Sequence, residues 1–236
     1  PQALPWAAPM LILWALAPEI ARRISRPIVA RREEIEASDL DHLRELGRRT
    51  WLFFDTFVSP EDQWLPPDNF QEEPRGIIAH RTSPTNIGMY LVSAVTARDM
   101  GWIGSTDLLF RLQNTFETMT RLEHCHGHIL NWYETRTLEP LLPRYVSAVD
   151  SGNLAAALLV AQQACAEAAV GQVIEVGRWQ GTLDVLRLLG HALEAVIVEA
   201  PHVGFELALK RCQRAQRQME EAAPDPTQWV HMLRTL

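Results

Sequence analysis

The sequence predicts an all-α fold: an incomplete (α/α) toroid, about half of an (α/α)6 barrel. Three observations point there. Apolar residues recur at helical spacing through most of the 236 residues. Amphipathic helices alternate with helices that are apolar all round, and the second kind must be buried. Polar, aromatic loops fall just before the two most apolar helices. A plain bundle would instead show stripes of similar width on every helix. Outer helices wrapping inner ones give the observed alternation. If the inner helices run parallel, their leading loops gather at one mouth of the barrel, where ligands sit.

Taken in order, the chain opens on an apolar run, Trp6 to Ala17, broken by Pro9. At 12 residues it is shorter than the roughly 20 that span a bilayer. It lacks the basic leader and cleavage site of a signal peptide. Glu19 and a collar of Arg22, Arg23, Arg26, Arg31 and Arg32 follow. We read residues 1–32 as the end of a membrane segment with its basic juxtamembrane stretch, the arginines marking the cytoplasmic side. The alternative is an apolar first helix of a soluble protein. Residues 33–236 form the toroid part.

Ser38, with Asp41 in the first turn, starts an amphipathic helix. Leu40, Leu43, Leu46, Trp51, Phe54 and Phe57 form its apolar stripe and Arg44, Glu45, Arg48 and Arg49 its wet side. A loop rich in Pro, Asp and Asn spans 59–83. Ser83 caps the next helix with Pro84 at its first position, a strong start signal. Ile87 to Ala97 is almost wholly apolar or small, and Gly101 ends it. Ser105 opens an amphipathic helix that buries Leu108, Leu112, Phe116, Met119 and Leu122. Residues 128–138 read as a short β excursion, with β-leaning Ile129, Trp132, Tyr133 and Thr135. Asp150 and Ser151 cap a helix whose Leu154–Val170 stretch is nearly all Ala, Leu and Val. Thr182–Val198 is amphipathic, Val203–Met219 is charged, and Pro226–Leu236 reads as a last short helix.

The formal net charge is −7, and a nucleic-acid binder would show a basic face instead. Residues 1–32 hold five basic side chains and one acidic, so the remainder, with 17 basic and 28 acidic, carries −11. Cys125, Cys165 and Cys212 are too few and too widely spaced for a disulfide framework or a zinc site. His124, Cys125, His126 and His128 resemble metal ligands, but neighbours one and two apart diverge on a helix and no second ligand pair follows. No phosphate-binding loop or nucleophile elbow occurs, and nothing calls for a cofactor.

Three loop segments carry the chemistry. They are Trp64 to Gln71, His80 to Gly88, and Gly127 to Asn153. Each mixes an aromatic or planar group with short polar side chains. Sugars need this mixture: their C–H faces pack on aromatic rings and their hydroxyls need fixed donors and acceptors. The candidates are Trp64, Asp68, Asn69, Arg81, Thr85, Asn86, Trp132, Tyr133, Asp150 and Asn153. Each has a plainer reading. Trp64 and Trp132 can be loop anchors, and Asp150 a helix cap. Thr85 and Asn86 can satisfy free amides at a helix start, and Arg81 can pair with Glu72 or Glu73.

The strings Trp64–Gln71, His80–Gly88, Arg98–Ile103, Asn131–Tyr133 and Val149–Leu154, in order and with matching spacing, closely resemble the middle region of cyclic β-1,2-glucan synthases. The resemblance covers roughly residues 5–170. Glu134 stands where the family string has Asp, and Ile129-Leu130 replace aromatic types. The resemblance implies the first half of a glycoamylase-like (α/α)6 domain that closes β-1,2-glucan rings by transglycosylation, in an enzyme that builds its glucan from UDP-glucose. It places the domain on the cytoplasmic face of a bacterial inner membrane, with β-1,2-glucan and the remaining domains of the parent chain as partners. Retaining transglycosylation needs two carboxylates about 5–5.5 Å apart, and the family's acidic motifs for that step are expected beyond Leu236. Two alternatives stay open. One is a stand-alone hydrolase or phosphorylase-type toroid, for which Asp68 and Asp150 are the plausible pair. The other is a non-catalytic helical scaffold, whose loop residues would share no cavity. An open half-barrel is expected to expose the apolar flanks of Ile87–Ala97 and Leu154–Val170 and to associate.

Overall fold

The computed structural model describes residues 4–25, 36–170, 176–222 and 229. The described part is all-α apart from six two-residue strands. The chain divides into two compact units, Pro1–Asp39 and Leu40–Leu236.

The first unit holds α1, Leu4–Ile24. The apolar run is part of a longer helix than its prolines suggest, because α1 continues through both Pro9 and Pro18. Met10, Leu11, Ile12, Leu13, Trp14 and Leu16 are all exposed. Glu19 pairs with Arg22 and Arg23 at 2.6 and 2.9 Å. Arg26, Arg31 and Arg32 of the basic collar lie outside the described residues, as does the predicted helix at 226–236 apart from Trp229.

α2, Ala37–Phe57, begins one residue before the predicted cap. Only the C-terminal part of its apolar stripe is covered. Trp51 is buried, whereas Leu40, Leu43 and Leu46 are about half exposed. Leu40 and Leu43 border a groove of about 460 Å³ shared with Trp51, Thr96, Met100 and Trp102.

α3, Pro84–Asp99, starts where Ser83 Oγ accepts from the Asn86 amide at 3.2 Å. Ile87, Tyr90, Leu91, Ala94 and Ala97 are fully buried, each large side chain contributing roughly 1.5–3 kcal/mol. Gly101, at φ +80°, ends it. The Trp102 amide reaches back to the Ala97 carbonyl at 2.8 Å, the glycine-ended helix stop expected from the sequence. α4, Ser105–Arg121, is amphipathic as predicted. It buries Leu108 and Leu112, and Phe116 and Met119 lie partly buried at the core's edge.

α5, Ala148–Val170, corrects two expectations. Ser147, not Asp150, is the capping side chain: its Oγ accepts from the Asp150 amide at 3.2 Å. The helix is also not buried all round. Leu154, Ala157, Ala161 and Ala164 form one covered stripe, while Leu158, Leu159 and Val160 remain exposed. The covered stripe faces α3. Thr85 and Asp150, both in first turns, bond to each other, and Gly88 lies against Asn153, Leu154 and Ala157 further along. Matching positions therefore meet in the same order, and the two helices run parallel, with α4 as the connection between them. That is the inner-helix relation expected of a toroid. By length and composition α5 could cross a membrane, but its small-residue stripe is packed against α3 in the core.

α6, Val176–Glu199, and α7, Val203–Ala222, pack as a pair. Trp179, Leu183, Met219, Ala222 and Trp229 form a second core. The Trp179 and Trp229 rings stack at 4.9 Å, and Trp179 Nε1 donates to the Met219 carbonyl at 2.9 Å.

A buried ion pair ties α6 to α2 and to the α3–α4 turn. Asp184 accepts from Arg44 Nη2 at 2.7 Å and from Trp102 Nε1 at 2.9 Å, and Arg44 also donates to the Met100 carbonyl at 2.9 Å. Beside it Gly181 lies so close to Gly101 that a Cβ there would sit 2.3 Å from the Gly101 carbonyl oxygen.

Asp184→Ala strands the Arg44 guanidinium, and its expected cost is about 3–5 kcal/mol. Urea unfolding of the purified protein measures it. A loss below about 1 kcal/mol, the scale of an exposed pair, contradicts the clamp. Gly181→Ala should also lower the urea midpoint, because the added methyl has no space.

Candidate functional site

The site stands where the leading loops of α3 and α5 meet. Three small antiparallel ladders shape those loops. β1 (Phe70–Gln71) pairs with β2 (Ile77–Ile78), and β4 (His124–Cys125) pairs with β5 (His128–Ile129). The third joins the two loops to each other: β3 (Arg81–Thr82) pairs with β6 (Tyr133–Glu134), with Arg81 opposite Glu134 and Thr82 opposite Tyr133. The excursion near 128–138 is thus present, as β5 and β6. The pairing of β6 with the loop before α3 was not foreseen.

One cluster is centred on Asp68. Its Oδ2 accepts from Arg81 Nη2 at 2.9 Å, Arg81 Nε at 3.1 Å and Asn69 Nδ2 at 3.1 Å. Its Oδ1 accepts from Asn86 Nδ2 at 3.2 Å. Arg81 therefore pairs with Asp68, not with Glu72 or Glu73. The guanidinium lies over the Trp132 ring, 5.1 Å from its centroid, a cation–π arrangement that fixes both planes.

A second cluster is centred on Asp150. Its Oδ1 accepts from Thr85 Oγ1 at 2.5 Å, and Thr85 Oγ1 accepts from Asn153 Nδ2 at 3.0 Å. Asn131 is buried between Asp150 and Trp132. In the amide orientation that satisfies its neighbours, its nitrogen donates to Asp150 Oδ2 at 3.0 Å. Its oxygen accepts from Trp132 Nε1 at 2.6 Å and Tyr145 Oη at 2.7 Å. Trp132 thereby links the two clusters, with Arg81 on its ring and Asn131 on its indole nitrogen. Because Ser147 and Ser83 cap their helices, Asp150 and Asn86 are free to face the loops.

Hydrogen bonds from Ser147 and then Thr85 hold the Asp150 carboxyl below its ordinary value of 3.8. Asp150 is thus an ionised acceptor. Both oxygens of Asp68 are likewise engaged in holding Arg81, Asn69 and Asn86. In this arrangement both carboxylates act as hydrogen-bond acceptors that hold neighbouring donors in place.

Two candidates belong to the core instead. Trp64, half-buried and at φ +60°, packs edge-on against Phe110 at 5.1 Å while its carbonyl accepts from Thr115 Oγ1. It anchors the loop. Tyr133 is fully buried. Its hydroxyl donates to the Glu123 carbonyl at 2.5 Å and accepts from the Leu130 amide at 2.6 Å. A ring with no exposed surface cannot stack on a sugar. Glu134, opposite Arg81, spends Oε2 on the Arg136 and Thr137 amides, so it shapes a turn. The remaining eight candidates lie in or beside the two clusters.

Sequence reasoning missed Asn131 as the central buried amide and Asp62 as a buried acid under the loops. Asp62 is only 4% exposed. It accepts from Thr135 Oγ1, and its Oδ1 lies 2.7 Å from His80 Nδ1. The signal available was an acid in a short segment after Ser59, which here is a single 3-10 turn at Pro60–Asp62 capped by the Ser59 side chain. Next to His80 lies a cleft of about 490 Å³, lined also by Asn69, Gln71, Ile77, Ala79 and Arg81. His124, Cys125 and His128 lie on the β4–β5 hairpin with His126 at its turn. Among the described residues no group of three metal-ligating side chains occurs.

Asp150 gives a pH prediction. A carboxylate with a depressed folded pKa stabilises above its unfolded value near 3.8, and that contribution is lost as pH falls through the lower folded value. Asp150→Asn should therefore lose stability at neutral pH and lose less than wild type on acidification below 3.8. Thermal unfolding from pH 7 to pH 2.5 checks this, and parallel curves for the two proteins contradict it.

No protein-family profile matches the chain. Over 220 residues, 87% of the chain, it is 40% identical to the cyclic beta-(1,2)-glucan synthase NdvB of Rhizobium meliloti. The chain spans 8% of that protein's length. Among solved structures, a glucoamylase-like protein of Bacteroides fragilis superimposes on 70% of this chain and 38% of its own, at TM-score 0.47 and 16% identity. The alignment with the synthase bears out the resemblance seen in the loop strings: this chain is homologous to one segment of such an enzyme.

Proposed function

We propose that this segment of a cyclic β-(1,2)-glucan synthase homologue is the glucan-binding part of a transglycosylating domain. The observation that carries the proposal is the continuous network from Asp68 through Arg81, Trp132 and Asn131 to Asp150, Thr85 and Asn153. It offers a half-exposed indole for a sugar's C–H face beside fixed donors and acceptors for its hydroxyls. Arg81 and Asn153 reach solvent, so a polysaccharide can approach from outside.

In this reading the segment binds and orients a β-1,2-linked glucan and the bond-making carboxylates are supplied by other parts of the parent protein. Asp68 and Asp150 keep Arg81 and Thr85 in place and pre-set the donors, so little ordering cost remains on binding. Alignment over most of the chain with a glucan synthase supports the substrate class. A bacterial inner membrane, with this segment on its cytoplasmic face, is the location the resemblance supports. There α1 with Glu19, Arg22 and Arg23 would form the membrane-proximal end. A non-catalytic scaffold is disfavoured because the loop residues converge instead of pointing apart.

The test is titration of linear β-1,2-glucan into the full-length protein carrying Trp132→Ala or Arg81→Ala. Loss of stacking or of a charge-assisted donor should weaken binding by roughly tenfold or more each and slow ring formation. Wild-type affinity and wild-type ring formation in both variants would remove these loops from the glucan path.

A further inference from the structure

The Arg81 guanidinium is largely committed to Asp68, whereas a second guanidinium, next to His80 of the same cleft, pairs with no acid among the described residues. Arg136 lies just beyond β6, exposed, and its Nη2 meets His80 Nε2. Among the described residues its side chain pairs with no carboxylate. The neighbouring acid, Glu134, has turned Oε2 to the Arg136 and Thr137 amides at 2.9 and 2.6 Å.

His80 is held from behind. Its Nδ1 lies 2.7 Å from Asp62 Oδ1, and that buried carboxylate also accepts from the Thr135 hydroxyl. These partners assign the tautomer. Nδ1 carries the hydrogen toward Asp62, which leaves the Nε2 lone pair to accept from the guanidinium. A further tie, from the Thr135 amide to the His80 carbonyl at 3.0 Å, keeps the two loops in register here. A guanidinium has five donors and no acceptor. With one donor spent on His80, the others remain for a ligand at the rim of the cleft lined by Asn69, His80 and Arg81.

We propose that Arg136 is a further glucan-contacting residue, donating to sugar hydroxyls, and that His80, itself held by Asp62, is its positioning residue. This rests on the glucan reading of the site and extends that surface from the Trp132 platform across the His80 cleft. A planar fork at fixed orientation suits the paired hydroxyl oxygens of a glucosyl unit. A lone ammonium would suit a simple anion equally well.

The experiment is calorimetric titration of a linear β-1,2-glucan oligosaccharide into the full-length protein carrying Arg136→Ala, Arg136→Lys, His80→Ala or the His80→Ala/Arg136→Ala pair, with Trp132→Ala as reference. Arg136→Ala should weaken binding about tenfold. Arg136→Lys should not restore it, and added salt should leave the constants unchanged. His80→Ala should match Arg136→Ala, and the double variant should lose no more than either, since both act in one unit. Arg136 is exposed, so its variants should keep the wild-type melting temperature and decide the matter even if His80→Ala fails to fold. Wild-type binding by Arg136→Ala while Trp132→Ala is weakened overturns the inference and leaves the glucan surface standing. Wild-type binding by both overturns the reading of the whole site. Rescue by Arg136→Lys together with salt-sensitive binding overturns the hydroxyl assignment in favour of an anion. Additive losses in the double variant overturn the positioning role of His80.

Discussion

The close parallel contact of α3 with α5 is the constraint on which the rest of the structure depends. Gly88 makes it possible. A Cβ there would stand 3.2 Å from the Ala157 Cβ and 3.4 Å from the Asn153 carbonyl oxygen, so a larger side chain would push the helices apart. Because the backbones approach at that point, the first turns also approach. Thr85 then reaches Asp150, and Asn153 reaches Thr85. A packing decision made with two small residues becomes a polar surface one turn away. Small residues do this where long ones cannot, since interiors are close-packed and resist even small added volume.

The same contact determines what the loops can do. Each loop leads into one of the two helices, so bringing the helices together brings the loops within pairing distance. The β3–β6 ladder and the Thr135–His80 backbone bond then stitch them. Buried polar groups complete the job. Asp62, Asn131 and Thr135 have little or no exposed surface, yet each has hydrogen-bond partners. Such networks are stiff when fully satisfied and costly when half satisfied. That stiffness holds Trp132 and the Arg81 guanidinium in one orientation.

Much of this was legible in the sequence. The Ser83-Pro84 start and the Gly101 stop of α3 follow from local chemistry, and both stand in the structure. The apolar Ile87–Ala97 stretch correctly marked an inner helix. The polar residues of the three loop segments were identifiable by type, and eight of the ten candidates lie in or beside the two clusters. What failed is equally instructive. Tyr133 and Trp64 have the residue type of a sugar platform, but type does not tell which side of a ring faces the core. Asp150 has the residue type of a cap, but Ser147, three residues earlier, does that work instead. Leu40, Leu43 and Leu46 carry a helical stripe whose cover is not determined by their own spacing. The Asp62–His80–Arg136 chain was invisible, since its members are brought together by pairing between loops more than fifty residues apart.

The central claim is that these helix ends and loops form a surface for β-1,2-linked glucan. A cryo-electron microscopy map of the full-length protein saturated with linear β-1,2-glucan tests it most directly. Glucosyl density is expected on the Trp132 indole, within hydrogen-bond reach of Arg81 and Asn153. A glucan chain resolved elsewhere in the protein, with the Trp132 face and the Arg81 guanidinium untouched, would contradict it.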